Sequence, residues 1–595
     1  MLTGLFILLD FGAPADEPVA TSSAIPRDIP GDYRSTLAWA PPTATTPRTA
    51  SNGAIALSPN GRRLFTANRD PGTVSIIDTE AAVTLVELSV GREPRSISID
   101  PRQPRIYVTN FADASFSVVD IALGRTVATV TTAHEPYGIV VSPDGESLYV
   151  SASGADVVQE FELSTLSLVR SLPVEQNPRG LAVAASGRTL YVTHFLNGRV
   201  SAVDLDSGDV TAIISTGDES AAAQFIAWHP SDDALYLPHS RSRVSNPKLS
   251  FDTTVAPLVS VIDLEASGGV AAEPLQLAEI DQPVNLPAAL DFSPDGRTLY
   301  VVNSGSNDLS IIDLERGTAW GHVELGANPG AIVVSGAGDI AYVYNALSYD
   351  ISVVDLDELS VVETIVVSES PLPPEVQRGK ELFFSSDSPE LARDQWVSCA
   401  VCHLDGLQDG RTWPLVEGPR NTLPIRGLAQ SAPFHWTGDR VDLFDFQKTI
   451  KEIQGGTGLP EADNAALAAF LGSVSVRPSP HLTRDGALTA PARQGRELFF
   501  ARACSNCHAG PAFADGSIHD VGTGLPEGSG SDRRFETPSL LGLYDSEPFL
   551  HDGSAASLRD VLTNRNPDDR HGQTSDLTAA DLDDLIAFLL SLPIS

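Results

Sequence analysis

The chain has 595 residues, a formal net charge of −38 and no block of basic residues. This charge balance excludes nucleic acid and an anionic membrane surface as partners and favours a basic redox partner. The alternative is that the acidic surface serves only solubility. No stretch reaches the roughly 18 consecutive apolar residues of a membrane-spanning helix. The length predicts more than one domain.

The N-terminal segment, residues 1–45, is predicted to lie outside the folded domains. Residues 2–9 are apolar and residues 13–15 read Ala-Pro-Ala, which resembles a cleavage site. No basic residue precedes the apolar run, however, and the run is short. We interpret this segment as a poor or truncated export signal.

Residues 46–368 repeat a unit of about 42 residues, a period that is typical of an all-β propeller with several short strands per blade. The aromatic residue of the repeated Leu-Tyr-Val-like strand stands at Phe65, Tyr107, Tyr149, Tyr191, Tyr236, Tyr300 and Tyr342. Seven copies predict seven blades. The long interval between Tyr236 and Tyr300 predicts an inserted loop at roughly residues 240–257. The repeats resemble the YVTN-type propeller family, whose motif stands at residues 107–110.

Two C-x-x-C-H motifs dominate the last third of the chain. They consist of Cys399, Cys402 and His403, and of Cys504, Cys507 and His508, and they use all four cysteines. In such a motif both thiols bond covalently to haem and the histidine ligates its iron. The sequence therefore predicts two covalently bound c-type haems. Because c-type haem is normally attached outside the cytoplasm, a periplasmic or otherwise exported location is expected.

The region around the motifs is duplicated. Matching segments at residues 378–384 and 494–500 precede the two motifs and are predicted to be helices, and each half ends in an apolar helix that should pack on the first. We predict a multidomain protein: an all-β seven-bladed β-propeller, then two all-α cytochrome c-like domains at residues 375–478 and 490–595.

A second matched pair follows the motifs: Trp436-Thr-Gly in the first half and His551-Asp-Gly in the second. With the haem motifs, these segments resemble the bacterial di-haem cytochrome c peroxidase superfamily, including its MauG-like branch. The resemblance implies that the haem beside His403 reacts with peroxide, that the haem beside His508 passes electrons, and that Trp436 couples them. One calcium ion is also implied, although its ligands cannot be assigned.

The resemblance places Gln447 close to a glutamine of the family's reactive pocket. The pocket glutamate is not placed, because neither Glu452 nor Glu461 aligns with it cleanly. His551 is expected to be a hydrogen-bonding structural residue.

Met1 is the only methionine, so no haem here can take the methionine ligand that family members use on the electron-transfer haem. His571 is the predicted replacement on the haem beside His508. No histidine lies between His403 and His435, which predicts an open iron position at the first haem. His435 itself is the alternative, as a ligand or an acid–base group.

Three functions follow. The first is an exported di-haem cytochrome that reduces hydrogen peroxide and docks a redox protein on its propeller, or in a MauG-like version oxidises a partner protein. The second is a non-catalytic electron carrier with a binding propeller. The third is an oxidoreductase centred on His194 and His239, which otherwise replace asparagines found at this position in other blades.

Overall fold

A computed structural model describes residues 49–51, 53–231, 233–246, 254–264, 271–524 and 533–593. The predicted export segment therefore lies outside the described residues. The described chain folds into a seven-bladed β-propeller followed by a helical region made of two similar halves, as the sequence predicted.

Seven antiparallel sheets form the blades, and each blade takes consecutive strands of the chain, except that the short strand Thr49–Ala50 is added to the sheet of blade 4. The strands of blades 1 to 3 are Ile55–Leu57, Arg63–Asn68, Thr73–Asp78 and Val83–Ser89; Pro94–Ile99, Arg105–Asn110, Ser115–Asp120 and Arg125–Thr131; Pro136–Val141, Ser147–Ala152, Val157–Glu162 and Ser167–Pro173. Those of blades 4 and 5 are Pro178–Val183, Thr189–His194, Val200–Asp204 and Val210–Ile214; Ser220–Ala221, Ala227–Trp228, Ala234–Ser242, Val255–Asp263 and Leu275–Gln276. Those of blades 6 and 7 are Pro287–Phe292, Thr298–Asn303, Asp308–Asp313 and Thr318–Glu324; Pro329–Val334, Ile340–Asn345, Asp350–Asp355 and Ser360–Val366.

Burial changes from the axis of the propeller to its rim. The strand Pro136–Val141, first in its blade, is buried at every position. The strand Arg125–Thr131, last in its blade, alternates between exposed and half-buried residues. Because successive side chains point to opposite faces of a sheet, this contrast indicates that inner strands are covered on both faces and rim strands only on one.

The first described strand adds to the inner edge of blade 4. Thr49–Ala50 pairs with the first strand of blade 4, Pro178–Val183, and the Ser51 amide donates to the Leu181 carbonyl at 2.8 Å. The Ser51 hydroxyl also lies 2.7 Å from that of Ser96 in blade 2. Residues 49–51 therefore contact both blade 4 and blade 2.

His194 and His239 are structural residues of blades 4 and 5. The Nε2 atom of each lies 2.8 Å from a serine hydroxyl on the next strand, Ser201 and Ser260 respectively. Asn110 makes the equivalent bond in blade 2. Burial lowers the pKa of both histidines, to about 4 for His239, so both rings are neutral. This geometry agrees with their expected role as substitutes for asparagine.

The insertion predicted in blade 5 is only partly a loop. Ala234–Ser242 and Val255–Asp263 form a hairpin of two nine-residue strands that is paired out to Ser242 and Val255. Both ends of the predicted loop therefore belong to strands. In this blade the added residues lengthen the two central strands, and do not form only a loop between strands of the usual length. Residues 247–253 lie outside the described residues.

The helical region carries short and long helices with turns of 3₁₀ helix between them. Its helices are Pro374–Phe384, Cys399–His403, Phe446–Thr449, Glu461–Ser473, Ala490–Ala501, Leu558–Leu562 and Ala579–Leu590. Two small hairpins, Thr412–Leu415 with Gly418–Asn421 and Ile518–His519 with Phe535–Glu536, stand in equivalent places of the two halves. Leu277–Ile280 is a further helix, at the end of blade 5. No helix of the described residues is both long enough and apolar enough to cross a lipid bilayer.

In each half the first helix packs closely on the last. A methyl group on Gly379 would overlap the carbonyl oxygen of Ala466, and one on Gly495 would overlap that of Asp584. Because glycine lacks a side chain, the backbones of the two helices approach at these points. This packing confirms the helix pairs that the sequence indicated.

The first cytochrome half rests on the propeller. Phe195 and Leu286 of the propeller share one buried apolar cluster with Phe383 and Trp396 of the helical region. Asn285 in the propeller donates from Nδ2 to the Trp396 carbonyl at 3.0 Å. Propeller and cytochrome region therefore share a hydrophobic core.

Candidate active site

A mostly apolar cavity of about 440 Å³ lies between the two cytochrome halves. All the residues of the two C-x-x-C-H motifs that carry the chemistry line it: Cys399, Cys402, His403, Cys504, Cys507 and His508. Cavities of a few hundred cubic ångströms with apolar walls and few polar groups are the usual form of cofactor sites.

The first motif folds as the short helix Cys399–His403. Burial raises the pKa of the Cys399 thiol to about 11 and lowers that of His403 to about 4. The thiol is therefore not an activated thiolate, and the imidazole is neutral, as a metal-ligating imidazole must be. No described cysteine is in a disulfide. These features fit covalent haem attachment better than a redox dithiol.

In the second motif, His508 is oriented by the backbone. Its Nδ1 lies 3.0 Å from the Phe513 carbonyl oxygen, which places the proton on Nδ1 and makes Nε2 the nitrogen that can ligate a metal. Burial, together with the nearby His571, lowers the pKa of His508 to about 4. His508 is thus a neutral, preoriented ligand.

His571 faces His508 across the cavity. The centroids of their rings are 6.2 Å apart. Two imidazoles that share one metal ion through ring nitrogens would have centroids roughly 6 Å apart, because metal–nitrogen bonds are about 2 Å long. Asn566 holds the His571 loop by accepting from its amide at 2.8 Å. The distance fits the predicted pair of axial ligands.

The first haem position differs from the second. Within the described residues, no imidazole ring meets that of His403 as His571 meets His508, although His435 is close enough to help lower the pKa of His403. His435 lines the same cavity, and its Nδ1 lies 3.3 Å from Asp439 Oδ1. Burial alone would raise the pKa of Asp439, but the bond with His435 helps lower it to about 2. His435 is therefore paired with a carboxylate that is ionised at neutral pH.

Trp436 and His551 occupy equivalent positions where the two halves meet. Trp436 donates from Nε1 to the Asn421 carbonyl at 2.8 Å, and its own carbonyl accepts from the Glu536 amide at 2.8 Å. The His551 carbonyl accepts from the Asn421 amide at 2.6 Å. Phe535 stacks on His551 with centroids 3.9 Å apart and meets Trp436 edge-on at 6.3 Å. A continuous group of three rings thus lines the cavity.

The residues that the family resemblance suggested for the reactive pocket do not line the cavity. Gln447 binds the Leu459 backbone through both its amide nitrogen and its oxygen, each at 2.7 Å. Glu452 is ion-paired with Arg440, and its side chain is 60% exposed. Neither of them, nor Glu461, is among the described residues that line the cavity.

Glu536 is a cavity residue that the sequence reasoning missed. It is 4% exposed, and its Oε1 has no hydrogen-bond partner among the described residues. Burial raises its pKa to about 9, so the side chain carries a proton at neutral pH. Its counterpart in the first half is Asn421, since each residue precedes the threonine of the matched segments. The alignment of the two halves at this threonine was the sequence signal that could have identified Glu536.

The fold and the cavity define a c-type cytochrome fused to a β-propeller, with haem c bound covalently. The cytochrome c family model matches residues 492–593, and the one described as lactonase, 7-bladed beta-propeller, matches residues 123–216.

Several named proteins are similar to about a third of this chain. Methylamine utilization protein MauG of Methylorubrum extorquens is 31% identical over an alignment of 247 residues, which covers 32% of this chain and 69% of the relative. Hydrazine synthase subunit gamma of Kuenenia stuttgartiensis is 27% identical over 38% of this chain and 80% of the relative. Cytochrome-c peroxidase IdrP2 of Pseudomonas sp. (strain SCT) is 24% identical over 38% of this chain and 84% of the relative. The chain belongs to the family of MauG and the di-haem cytochrome c peroxidases, and it is an oxidoreductase.

Proposed function

We propose that the protein is an exported enzyme that reduces hydrogen peroxide at a haem held by His403, with electrons relayed by a second haem held by His508. The supporting observation is the unequal surroundings of these histidines in one cavity. His571 faces His508 at 6.2 Å, whereas no described imidazole faces His403 in this way. A substrate needs an open iron position, while a filled one suits electron transfer.

Haem bound at these motifs supplies the redox chemistry, in which two electrons and two protons convert one hydrogen peroxide into two waters. The chain's own residues orient the cofactor and handle protons. The Phe513 carbonyl orients the His508 ring, and the apolar cavity wall excludes bulk water. Trp436 is the proposed electronic link between the two haems, since it lies where the halves meet.

His435 is the proposed acid–base group at the first haem. Asp439 orients it by pairing with Nδ1, so that Nε2 is the atom that exchanges protons. We assign Gln447 a positioning role, because its amide holds the Leu459 backbone close to the helix that completes the first half. Glu536 holds a further proton inside the cavity.

A redox protein is the proposed electron donor. The net charge of −38 favours a basic donor, and we propose that the propeller contributes to docking it. The protein is also proposed to bind one calcium ion, as the family resemblance implies, at ligands that are not assigned.

Oxidation of a partner protein is the second candidate function. It is supported by the relative at 31% identity, whose name assigns it to methylamine utilization as MauG. In this version peroxide still accepts two electrons, but they are withdrawn from a target protein, which becomes oxidised, instead of from a redox protein that acts as the electron donor.

Optical and EPR spectra of the ferric protein, recorded before and after peroxide is added, test the main proposal. We expect one high-spin and one low-spin haem, and peroxide consumption when a reduced donor is supplied. Two low-spin haems without a reaction with peroxide would instead leave a non-catalytic electron carrier.

Two matched variants then locate the reaction. The double variant Cys399→Ala, Cys402→Ala should lose the high-spin signal and peroxide consumption together. The double variant Cys504→Ala, Cys507→Ala should lose the low-spin signal and keep the reaction of ferric haem with peroxide. The reverse assignment of signals to motifs would contradict the proposal.

A further inference from the structure

Three arginines of the propeller converge on one carboxylate of the first haem loop. Asp405 follows His403 by two residues and its side chain is 1% exposed. Arg69 and Arg95 approach Asp405 Oδ1 at 2.9 Å each, and Arg179 approaches Oδ2 at 3.0 Å. We call Asp405 with these three arginines the axial cage.

The cage arginines come from different blades. Arg95 and Arg179 are the second residues of the first strands of blades 2 and 4, and Arg69 directly follows a strand of blade 1. Because the first strands surround the axis of the propeller, side chains at their start reach one common point. Asp405 occupies that point, at the centre of the propeller face.

Aromatic rings hold the arginines in place. The Arg179 guanidinium lies 3.6 Å from the centroid of Phe195 and 4.4 Å from that of Tyr137. The Arg95 guanidinium lies 4.4 Å from the centroid of Phe111. Guanidinium groups over aromatic faces are attracted to them, and Arg179 is 1% exposed, so its orientation is fixed.

Further ion pairs surround the cage. Glu93 pairs with Arg95 at 3.1 Å and with Arg477 at 2.8 Å, and Arg477 also pairs with Glu135 at 2.7 Å. The cage is therefore part of a larger network of ion pairs.

The cytochrome region fixes the same loop from the opposite side. Arg426 donates to the Asp405 carbonyl oxygen from Nε at 3.2 Å and from Nη2 at 3.0 Å, and it lines the haem cavity. The Ile425 amide donates to the Gly406 carbonyl at 3.0 Å. Side chain and backbone of the loop after His403 are thus held independently.

We propose that the propeller is a structural part of the first haem site, in which Arg69, Arg95 and Arg179 position the loop after His403 through Asp405 and their charges set the reduction potential of its haem. The inference rests on the proposed function only in requiring a haem at this motif. It gives the propeller a role in the cytochrome chemistry that is separate from docking a partner.

The charges predict the direction of each effect. Ferric haem carries one more positive charge than ferrous haem, so nearby positive charge favours the reduced state and nearby negative charge the oxidised state. Asp405→Asn removes a negative charge and should raise the reduction potential of this haem. Arg69→Gln removes a positive charge and should lower it.

Spectroelectrochemical titration of the full-length holoprotein tests the proposal, with the haem beside His508 as the internal reference. We expect opposite shifts for Asp405→Asn and Arg69→Gln at the first haem, no shift at the second, and a smaller shift for Arg179→Lys than for Arg179→Gln. Arg69 is 25% exposed, so Arg69→Gln is the variant best able to fold if Asp405→Asn is not.

Shifts in the same direction for both charge variants, equal shifts at both haems, or no shift at all would overturn the proposal. These readouts do not depend on peroxide. A protein that holds both haems and shows opposite shifts but consumes no peroxide would uphold the cage and refute the peroxidase function. A protein that consumes peroxide without such shifts would support the peroxidase function and refute the role of the cage.

Discussion

Trp436 and His551 stand at matching positions of the two cytochrome halves, and their rings meet edge to face with centroids 6.3 Å apart. The carbonyl of each accepts a hydrogen bond from the other half, Trp436 from the Glu536 amide and His551 from the Asn421 amide. The halves are therefore joined by reciprocal contacts around a near two-fold arrangement. Only one of the two equivalent rings is an indole, so the junction itself is asymmetric.

Trp436→Phe should slow electron exchange between the two haems while the protein stays folded. Phenylalanine keeps an aromatic ring at the site but removes the Nε1 donor that binds the Asn421 carbonyl. Stopped-flow reduction, followed separately for the two haem signals, measures the exchange. Trp436→Ala would confuse the result, because truncating a buried tryptophan destabilises a protein by about 3–5 kcal/mol.

Trp413→Phe is the matched control for this experiment. Trp413 is also a buried cavity residue, and its Nε1 donates to Asp409 at 2.9 Å within the first half. Exchange as slow in Trp413→Phe as in Trp436→Phe would show that Trp436 has no special part in the transfer.

His571→Ala should convert the haem beside His508 from low spin to high spin. The substitution removes the imidazole that faces His508 at 6.2 Å, and among the described residues no methionine is available to replace it. EPR of the ferric protein measures the change. His481→Ala, in the connection between the halves and outside the cavity wall, should leave both signals as they are. An unchanged low-spin signal in His571→Ala would rule out this ligand.

Gly379→Ala and Gly495→Ala should each destabilise one cytochrome half. The added methyl group would overlap a backbone carbonyl of the partner helix, and overpacking of this kind costs about 1–3 kcal/mol or more. The urea midpoint of unfolding, followed by the haem absorbance of each half, measures the loss. Gly336→Ala is the control, because a methyl group there meets no atom within 4 Å. Equal midpoints for all three variants would contradict the close helix contact.

Acidification should selectively weaken the contact between propeller and cytochrome region through Glu93. Burial alone would raise its pKa, but Arg69, Arg477 and Arg95 lower it to about 2, against 4.5 for the free side chain. A carboxylate with a lowered pKa contributes stability above its unfolded pKa and loses it as the pH falls through the folded one. The contribution is about 3 kcal/mol near neutral pH and should be lost between about pH 5 and pH 2.

The comparison of wild type with Glu93→Gln tests this dependence. The difference in urea midpoint should be largest at pH 6 and should shrink as the pH falls towards 3. Glu80→Gln, at a side chain that is 79% exposed, should show no such trend. A Glu93→Gln difference that is constant with pH would contradict the prediction.

The propeller and the haem motifs could be predicted because their signals are local in the sequence. The aromatic residue of the repeated strand recurs at a nearly constant interval, and each C-x-x-C-H motif is contained in five residues. Blade 5 departs from the period, and there the prediction of an inserted loop was partly wrong. The sequence period shows that residues were added, but it does not show that Ala234–Ser242 and Val255–Asp263 use them to extend a hairpin.

The axial cage was not predictable in the same way. Arg95, Tyr137 and Arg179 recur at the interval of the blade repeat, each after a proline, which indicates a shared position around the axis. Asp405, which pairs with Arg95 and Arg179, lies 226 residues beyond Arg179 in the chain. Only the docking of the helical region on the propeller brings these charges together, and no local pattern encodes that docking. The cavity position of Glu536 depends on tertiary packing for the same reason.

The axial cage limits how this protein can exchange its parts during evolution. A propeller taken from another protein could replace this one only if it presented three cations at the same point around its axis, since a buried carboxylate without partners is strongly unfavourable. A substitution at Asp405 would likewise leave three like charges facing one another. The two regions are therefore expected to have changed together at this point, even though their folds are unrelated.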